Sequence, residues 1–198
     1  MSLISYIQIN EHSNAAILDL KGFSEQVADK SKRNLEKEGF CFLLNRLTEN
    51  GAEALAYHST GKPYLKNRKE HISLSHSHEK LALVVNDTES TGIDIELIRD
   101  KILLVRHKFL SEEELSQLNE KDVEKNLVYW AAKETLYKIQ GKKGLNFATD
   151  LSVWDFEYEP AGGVIRGNIL TEGACATFAL KYCKYEEYML VYMLNQIS

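Results

Sequence analysis

Glu134 and Lys138 stand four residues apart in the run Trp130-Ala131-Ala132-Lys133-Glu134-Thr135-Leu136-Tyr137-Lys138-Ile139-Gln140-Gly141-Lys142, so a helix there carries an acid and a base one turn apart. Val128, Ala132, Leu136 and Ile139 recur at helical spacing and predict a buried stripe over 126–140, with Glu134 and Lys138 on the opposite side. Upstream, Gly92-Ile93-Asp94-Ile95-Glu96 has the alternation of a strand, which sends Asp94 and Glu96 to one face and the isoleucines to the other. Two carboxylates side by side invite a cation. A third from a helix would complete a hard-cation site of the kind magnesium fills, with few carboxylates, some waters and phosphate oxygens. Lys138 would then serve the phosphate. Taken singly, each feature has a plainer reading: a Glu-to-Lys pair on a solvated helix contributes only about 0.2–0.5 kcal/mol, and Asp-x-Glu often marks an exposed polar face.

A third motif lies between the first residues and these two. Ile72-Ser73-Leu74-Ser75-His76-Ser77 alternates apolar and small polar residues like a half-buried strand and places His76 where strand gives way to loop. Before it, Gly61-Lys62-Pro63-Tyr64 reads as a turn whose glycine lets a flat group approach the backbone. His71, His76 and His78 do not make a zinc site, because no second cluster supplies the remaining ligands at a usual spacing.

The elements that must position these groups follow from pattern. Strands are predicted at 3–9, 15–20, 72–75, 80–86, 91–96, 151–158, 164–170, 174–182 and 187–194, with a helix around Leu35, Phe42, Leu43 and Leu47. Ser111-Glu112-Glu113-Glu114 has the capping-box pattern and predicts a helix start ahead of Leu115 and Leu118. Helices between runs of strands argue for α+β with antiparallel sheets rather than a parallel doubly wound fold. Asp87-Thr88-Glu89-Ser90 is a polar turn that divides the chain into an N-terminal half, 1–90, and a C-terminal half, 91–198, that carries the carboxylates.

Composition narrows the class. A chain of 198 residues with 44% apolar content can bury a real core in one domain or two small ones. A formal charge of −5 argues against general nucleic-acid binding, which shows a strongly basic face. Positive charge is local, at Lys133–Lys143 and at Lys30–Lys37. Cys41, Cys175 and Cys183 are odd in number without Cys-x-x-Cys spacing, which suggests neither a disulfide framework nor a zinc ribbon and points to a reducing cytoplasm. Met1-Ser2-Leu3-Ile4-Ser5-Tyr6 has no basic region before an apolar run, and no stretch approaches the roughly 18 apolar residues of a membrane span. The expectation is a protein neither exported nor inserted.

The ordered series Gly61-Lys62-Pro63, Ser73-Leu74-Ser75-His76-Ser77, Gly92-Ile93-Asp94-Ile95-Glu96, Phe109-Leu110-Ser111, then Trp130-Ala131-Ala132-Lys133-Glu134 with Lys138 and Gly141-Lys142-Lys143-Gly144-Leu145, resembles the 4'-phosphopantetheinyl transferases of the two-halved Sfp type. The resemblance spans about residues 57–147. It implies two similar halves related by a pseudo-two-fold, with the active cleft between them. It also implies transfer of the 4'-phosphopantetheine arm of coenzyme A to a serine hydroxyl of an apo acyl or peptidyl carrier protein, as in holo-[acyl-carrier-protein] synthases, releasing 3',5'-ADP. By the same match Asp94, Glu96 and Glu134 are magnesium ligands, and Glu134 is the general base. Lys138 contacts the phosphates, Ser75 and His76 contact coenzyme A phosphate, and Lys62 and Pro63 pack by the adenosine. Where relatives commonly carry an Arg on the first long helix this chain has Cys41, so Arg33, Lys30 or Lys32 is left to meet the 3'-phosphate. A monomer is expected, since a two-halved chain builds the cleft within itself. The segment Lys101–Leu118 is the expected carrier docking surface, with Lys101, Arg106, His107 and Lys108 supplying charge and Leu104, Phe109 and Leu118 apolar contact, although Phe109 and Leu118 also read as core residues. Two other readings of the same residues are a non-catalytic coenzyme A and carrier-binding scaffold and a magnesium-dependent phosphohydrolase.

Overall fold

The computed structural model describes residues 3–171 and 173–197; Met1 and Ser2, where the segment read for a leader begins, lie outside them. By its contacts the chain forms two compact units, Met1–Ile95 and Glu96–Ser198. The fold is α+β with antiparallel sheets, as the pattern of alternating and helical segments predicts.

In the first unit, β1 (Ile4–Gln8), β2 (Ser13–Asp19), β5 (His71–Ser77) and β6 (Lys80–Asn86) form an antiparallel sheet of order β1-β2-β6-β5. Alternation decides which residues reach the core: Ala16, Leu18, Ile72, Leu81, Leu83 and Val85 meet Leu43 and Leu44 of α2 (Lys32–Leu47), while short α1 (Leu20–Phe23) adds Phe23. Helix α2 lies very close to the sheet at Gly39, where a Cβ would come within 2.5 Å of Leu81 Cδ1. Beyond α3 (Gly51–Ala54), β3 (Leu55–Tyr57) and β4 (Pro63–Leu65) pair as a small hairpin. Only the turn before Pro63 is predicted there, because three-residue strands are too short to show a period.

Strand β7 (Ile93–Leu97) carries the division between the units and stands at one edge of a five-stranded sheet of order β7-β11-β10-β9-β8. The other strands of that sheet are β8 (Leu151–Val153), β9 (Gly163–Thr171), β10 (Ala174–Tyr185) and β11 (Tyr188–Ile197), of which β11 pairs with β7. After β7 come α4 (Lys101–Val105), a 3-10 turn at Arg106–Lys108, α5 (Glu112–Gln117) and the long α6 (Val123–Gln140). The capping box forms as read: the Ser111 hydroxyl accepts from the Glu114 N–H, and the Glu114 carboxylate accepts from the Ser111 N–H. Helix α6 starts earlier than its apolar period suggests because Asp122 caps it, and it ends at Gly141 in the left-handed region, φ 67°. Its predicted stripe of Val128, Ala132, Leu136 and Ile139 is buried in the core with Leu180, Val191 and Met193. At Gly167 of β9 a Cβ would stand 2.8 Å from Leu136 Cδ1, so the absence of a side chain lets α6 settle on the sheet. The strand predicted over 151–158 stops at Val153. Phe156 and Tyr158 leave the ladder to pack sideways, stacking on Tyr129 at 5.5 Å and on Tyr182 at 5.7 Å.

Candidate functional site

Two hydroxyls on β5 hold the strand that carries Asp94. Ser73 Oγ accepts from the Ile93 N–H and Ser75 Oγ from the Ile95 N–H, each at 3.3 Å, and the Ser75 hydroxyl donates to Asp94 Oδ1 at 2.7 Å. Asp94 is buried, and this bond orients its carboxylate without cancelling its charge. A hydroxyl has one proton. While Ser75 gives it to Asp94, that hydroxyl positions the carboxylate, a task beside the phosphate contact that sequence reading expects of it.

The other first-unit candidates lie on the same sheet or near it. His76 is half-exposed, with Nε2 3.3 Å from Glu36 Oε1 on α2 and its ring edge-on to Phe40. Arg33 is exposed in the first turn of α2, as is Lys32, whose Nζ stands 3.8 Å from Glu36. Burial pushes the Cys41 thiol above its usual range, so Cys41 is a neutral group at neutral pH and no replacement for an Arg. Lys62 precedes β4, which Pro63 opens, and donates from Nζ to Ser90 Oγ at 2.7 Å. Burial lowers its pKa from the ordinary lysine value.

In the second unit, the indole N–H of Trp130 donates to Glu96 Oε1 at 3.1 Å. Sequence reading treats Trp130 only as part of a motif; the bond gives it a task, fixing a carboxylate from a helix position one turn before Glu134. Glu134 and Lys138 are half-buried on α6, and neither belongs to its apolar stripe. Lys133 has a different fate from its neighbour. It is fully buried and donates to Glu114 Oε2 at 2.6 Å and to the carbonyls of Phe109 and Phe147 at 2.8 Å. Burial lowers its pKa, and the Glu114 carboxylate opposes that shift. Glu114 Oε1 in turn accepts from the Val153 N–H. Of the positive stretch read at 133–143, Lys133 therefore adds nothing to the surface.

Two open grooves flank Trp130. One, ≈ 270 Å³, is lined by Glu96, Arg99, Lys101, Ile102, Val105 and Trp130; the other, ≈ 610 Å³, by Val105, Lys108, Phe109, Trp130, Asn146 and Phe147. In the expected docking segment, Leu104 is 75% exposed, but Phe109 and Leu118 are core residues. Arg106 is tied to the carbonyls of Leu115 and Leu118.

By type, Asp94, Glu96 and Glu134 are the hard oxygen donors magnesium takes. No group of three or more His, Cys, Asp or Glu placed to hold a metal ion occurs among the described residues. A model of the 4'-phosphopantetheinyl transferase superfamily matches residues 90–192, just over half of the chain and the part that holds all three carboxylates and Lys138. The chain belongs to that superfamily. No curated protein matches it. Superfamily membership gives transfer of phosphopantetheine as its general role and makes coenzyme A and a carrier protein its implied partners. Among the described residues no helix is long and apolar enough to cross a membrane.

Proposed function

We propose that the chain is a magnesium-dependent transferase of the two-halved Sfp type that moves the 4'-phosphopantetheine arm of coenzyme A onto a serine of an apo acyl or peptidyl carrier protein. The observation that carries the reading is the superfamily match over the segment containing Asp94, Glu96, Glu134 and Lys138. Supporting it, two of the three carboxylates are oriented by dedicated donors, Asp94 by Ser75 and Glu96 by Trp130.

The serine oxygen attacks the β-phosphorus, the bond from that phosphorus to the bridging oxygen breaks, and 3',5'-ADP departs with the oxygen. Glu134 takes the serine proton, directly or through a water. Lys138 offsets charge on the phosphates, and His76 and Arg33 hold nucleotide phosphate. Lys62 and Pro63 pack by the adenosine. Asp94, Glu96 and Glu134 would hold magnesium, which supplies charge neutralisation at the diphosphate when bound. The ≈ 610 Å³ groove beside Trp130, apolar along Val105, Phe109 and Phe147 with Lys108 and Asn146 as polar points, suits the amide-bearing pantetheine arm. The enzyme acts as a monomer in this reading; an obligate trimer at low concentration in light scattering would overturn that part.

The test is incubation with coenzyme A and magnesium, with and without an apo carrier, followed by mass spectrometry of the carrier. Carrier-dependent release of 3',5'-ADP with a mass gain on the carrier is expected. Release without carrier would mean a phosphohydrolase, and binding without turnover a scaffold.

A further inference from the structure

Glu36 takes part in none of the steps above, yet it faces one of their residues. Its Oε1 is buried and has no hydrogen-bond partner among the described residues, although buried carboxylate oxygens ordinarily have one. Two basic side chains stand close without making that bond: His76 Nε2 at 3.3 Å and Lys32 Nζ at 3.8 Å. The Glu36 side chain is 19% exposed against 45% for His76, so a covered anion faces a half-open imidazole. Phe40, one turn further along α2, meets the same ring edge-on, with centroids 6.4 Å apart.

A carboxylate oxygen and a phosphate oxygen ask the same thing of an imidazole N–H. A phosphate that takes up His76 must either share the site with Glu36, against like-charge repulsion, or displace it. Displacement has an open direction, because the first turn of α2 is exposed and Lys32 already stands on that side. We propose that Glu36 is an internal competitor for His76: its carboxylate stands against the imidazole, yields that place to a phosphate group of coenzyme A, and returns to it as 3',5'-ADP leaves. Glu36 thereby sets a ceiling on nucleotide affinity and favours product release. The proposal rests on the assignment of His76 to phosphate made above.

The test is equilibrium binding of coenzyme A and of 3',5'-ADP to the full chain without carrier, for wild type, Glu36→Gln, Glu36→Ala, His76→Ala and the Glu36→Gln/His76→Ala double variant, each checked for folding by circular dichroism. Both Glu36 variants should bind the two nucleotides roughly twofold to fivefold more tightly, the range set by relief of one partly screened charge contact. The gain should vanish in the double variant, and Glu38→Gln, an exposed acid on the same helix, should leave affinity unchanged. Unchanged or weaker binding by folded Glu36→Gln, or a gain that survives loss of His76, overturns the proposal. If His76→Ala binds both nucleotides as wild type does, the phosphate assignment of His76 fails first, and the competitor role fails with it.

Discussion

Glu134 and Ser75 differ in what they risk when changed. Glu134→Gln keeps size and removes charge, so it should fold normally and lose more than the roughly 10²–10⁴-fold of general base catalysis alone if the residue both ligates and accepts the proton. Near-wild-type transfer at saturating magnesium would remove it from both roles. Ser75→Ala takes away the hydroxyl that donates to Asp94 at 2.7 Å and accepts from Ile95, leaving a buried carboxylate less well oriented. The expected result is a raised magnesium requirement, several-fold at half-saturation, with much of the rate recovered at high magnesium. A rate defect indifferent to magnesium would instead mean that Ser75 touches substrate. Residue types and spacings make the carboxylates legible. The hydroxyl and indole that orient two of them are not, because a hydrogen bond between distant positions leaves no periodic trace.

At the scale of elements, α6 is joined to its surroundings by polar contacts that periodicity cannot show. Lys133, adjacent to Glu134, holds Glu114 of α5 and two loop carbonyls from full burial. Lys133→Met strands a buried carboxylate and should cost about 3–5 kcal/mol in chemical denaturation. Adding Glu114→Gln should restore part of the loss, and a cost below about 1 kcal/mol would mean that the pair is dispensable. At the start of α6, the Lys184 ammonium and then the Tyr158 hydroxyl hold the Glu124 carboxyl below its usual range. A depressed carboxylate stabilises the fold above its unfolded value of 4.5, and that contribution is lost as pH falls through the lower folded value. Urea melts of wild type and Glu124→Gln should therefore differ at pH 7 and converge at strongly acid pH. A gap that stays constant with pH would rule out this linkage. The buried stripe of α6 and most strands are legible in advance because each covers several periods. The β3–β4 hairpin and the early end of β8 are not, the first for brevity and the second because aromatic packing overrides local strand preference.

For the molecule as a whole, recognition of a carrier has to be local, since the chain is acidic at −5 overall. Burial decides which residues of the Lys101–Leu118 segment can take part, and it bears out the core reading of Phe109 and Leu118. Phe109 and Leu118 belong to the core and Arg106 braces two carbonyls, so reversing Arg106 tests folding before it tests docking. Leu104, 75% exposed on α4, is the better probe. Leu104→Asp should raise the carrier KM by at least about fivefold, the effect of losing one apolar anchor, with coenzyme A affinity unaltered. An unchanged carrier KM would move the docking surface elsewhere.

The contact between Gly167 and Leu136 bears on how the activity can fail. Leu136 lies between Glu134 and Lys138 on α6, and its methyl group occupies the space that a side chain at position 167 would need. The seating depth of α6 is thus set by an atom that is missing. A misplacement of about 1 Å can cost 10²-fold in rate, so a single methyl on a β-strand could silence the enzyme while every acid, base and ligand stayed in the sequence. An inventory of reactive groups would register such a protein as complete.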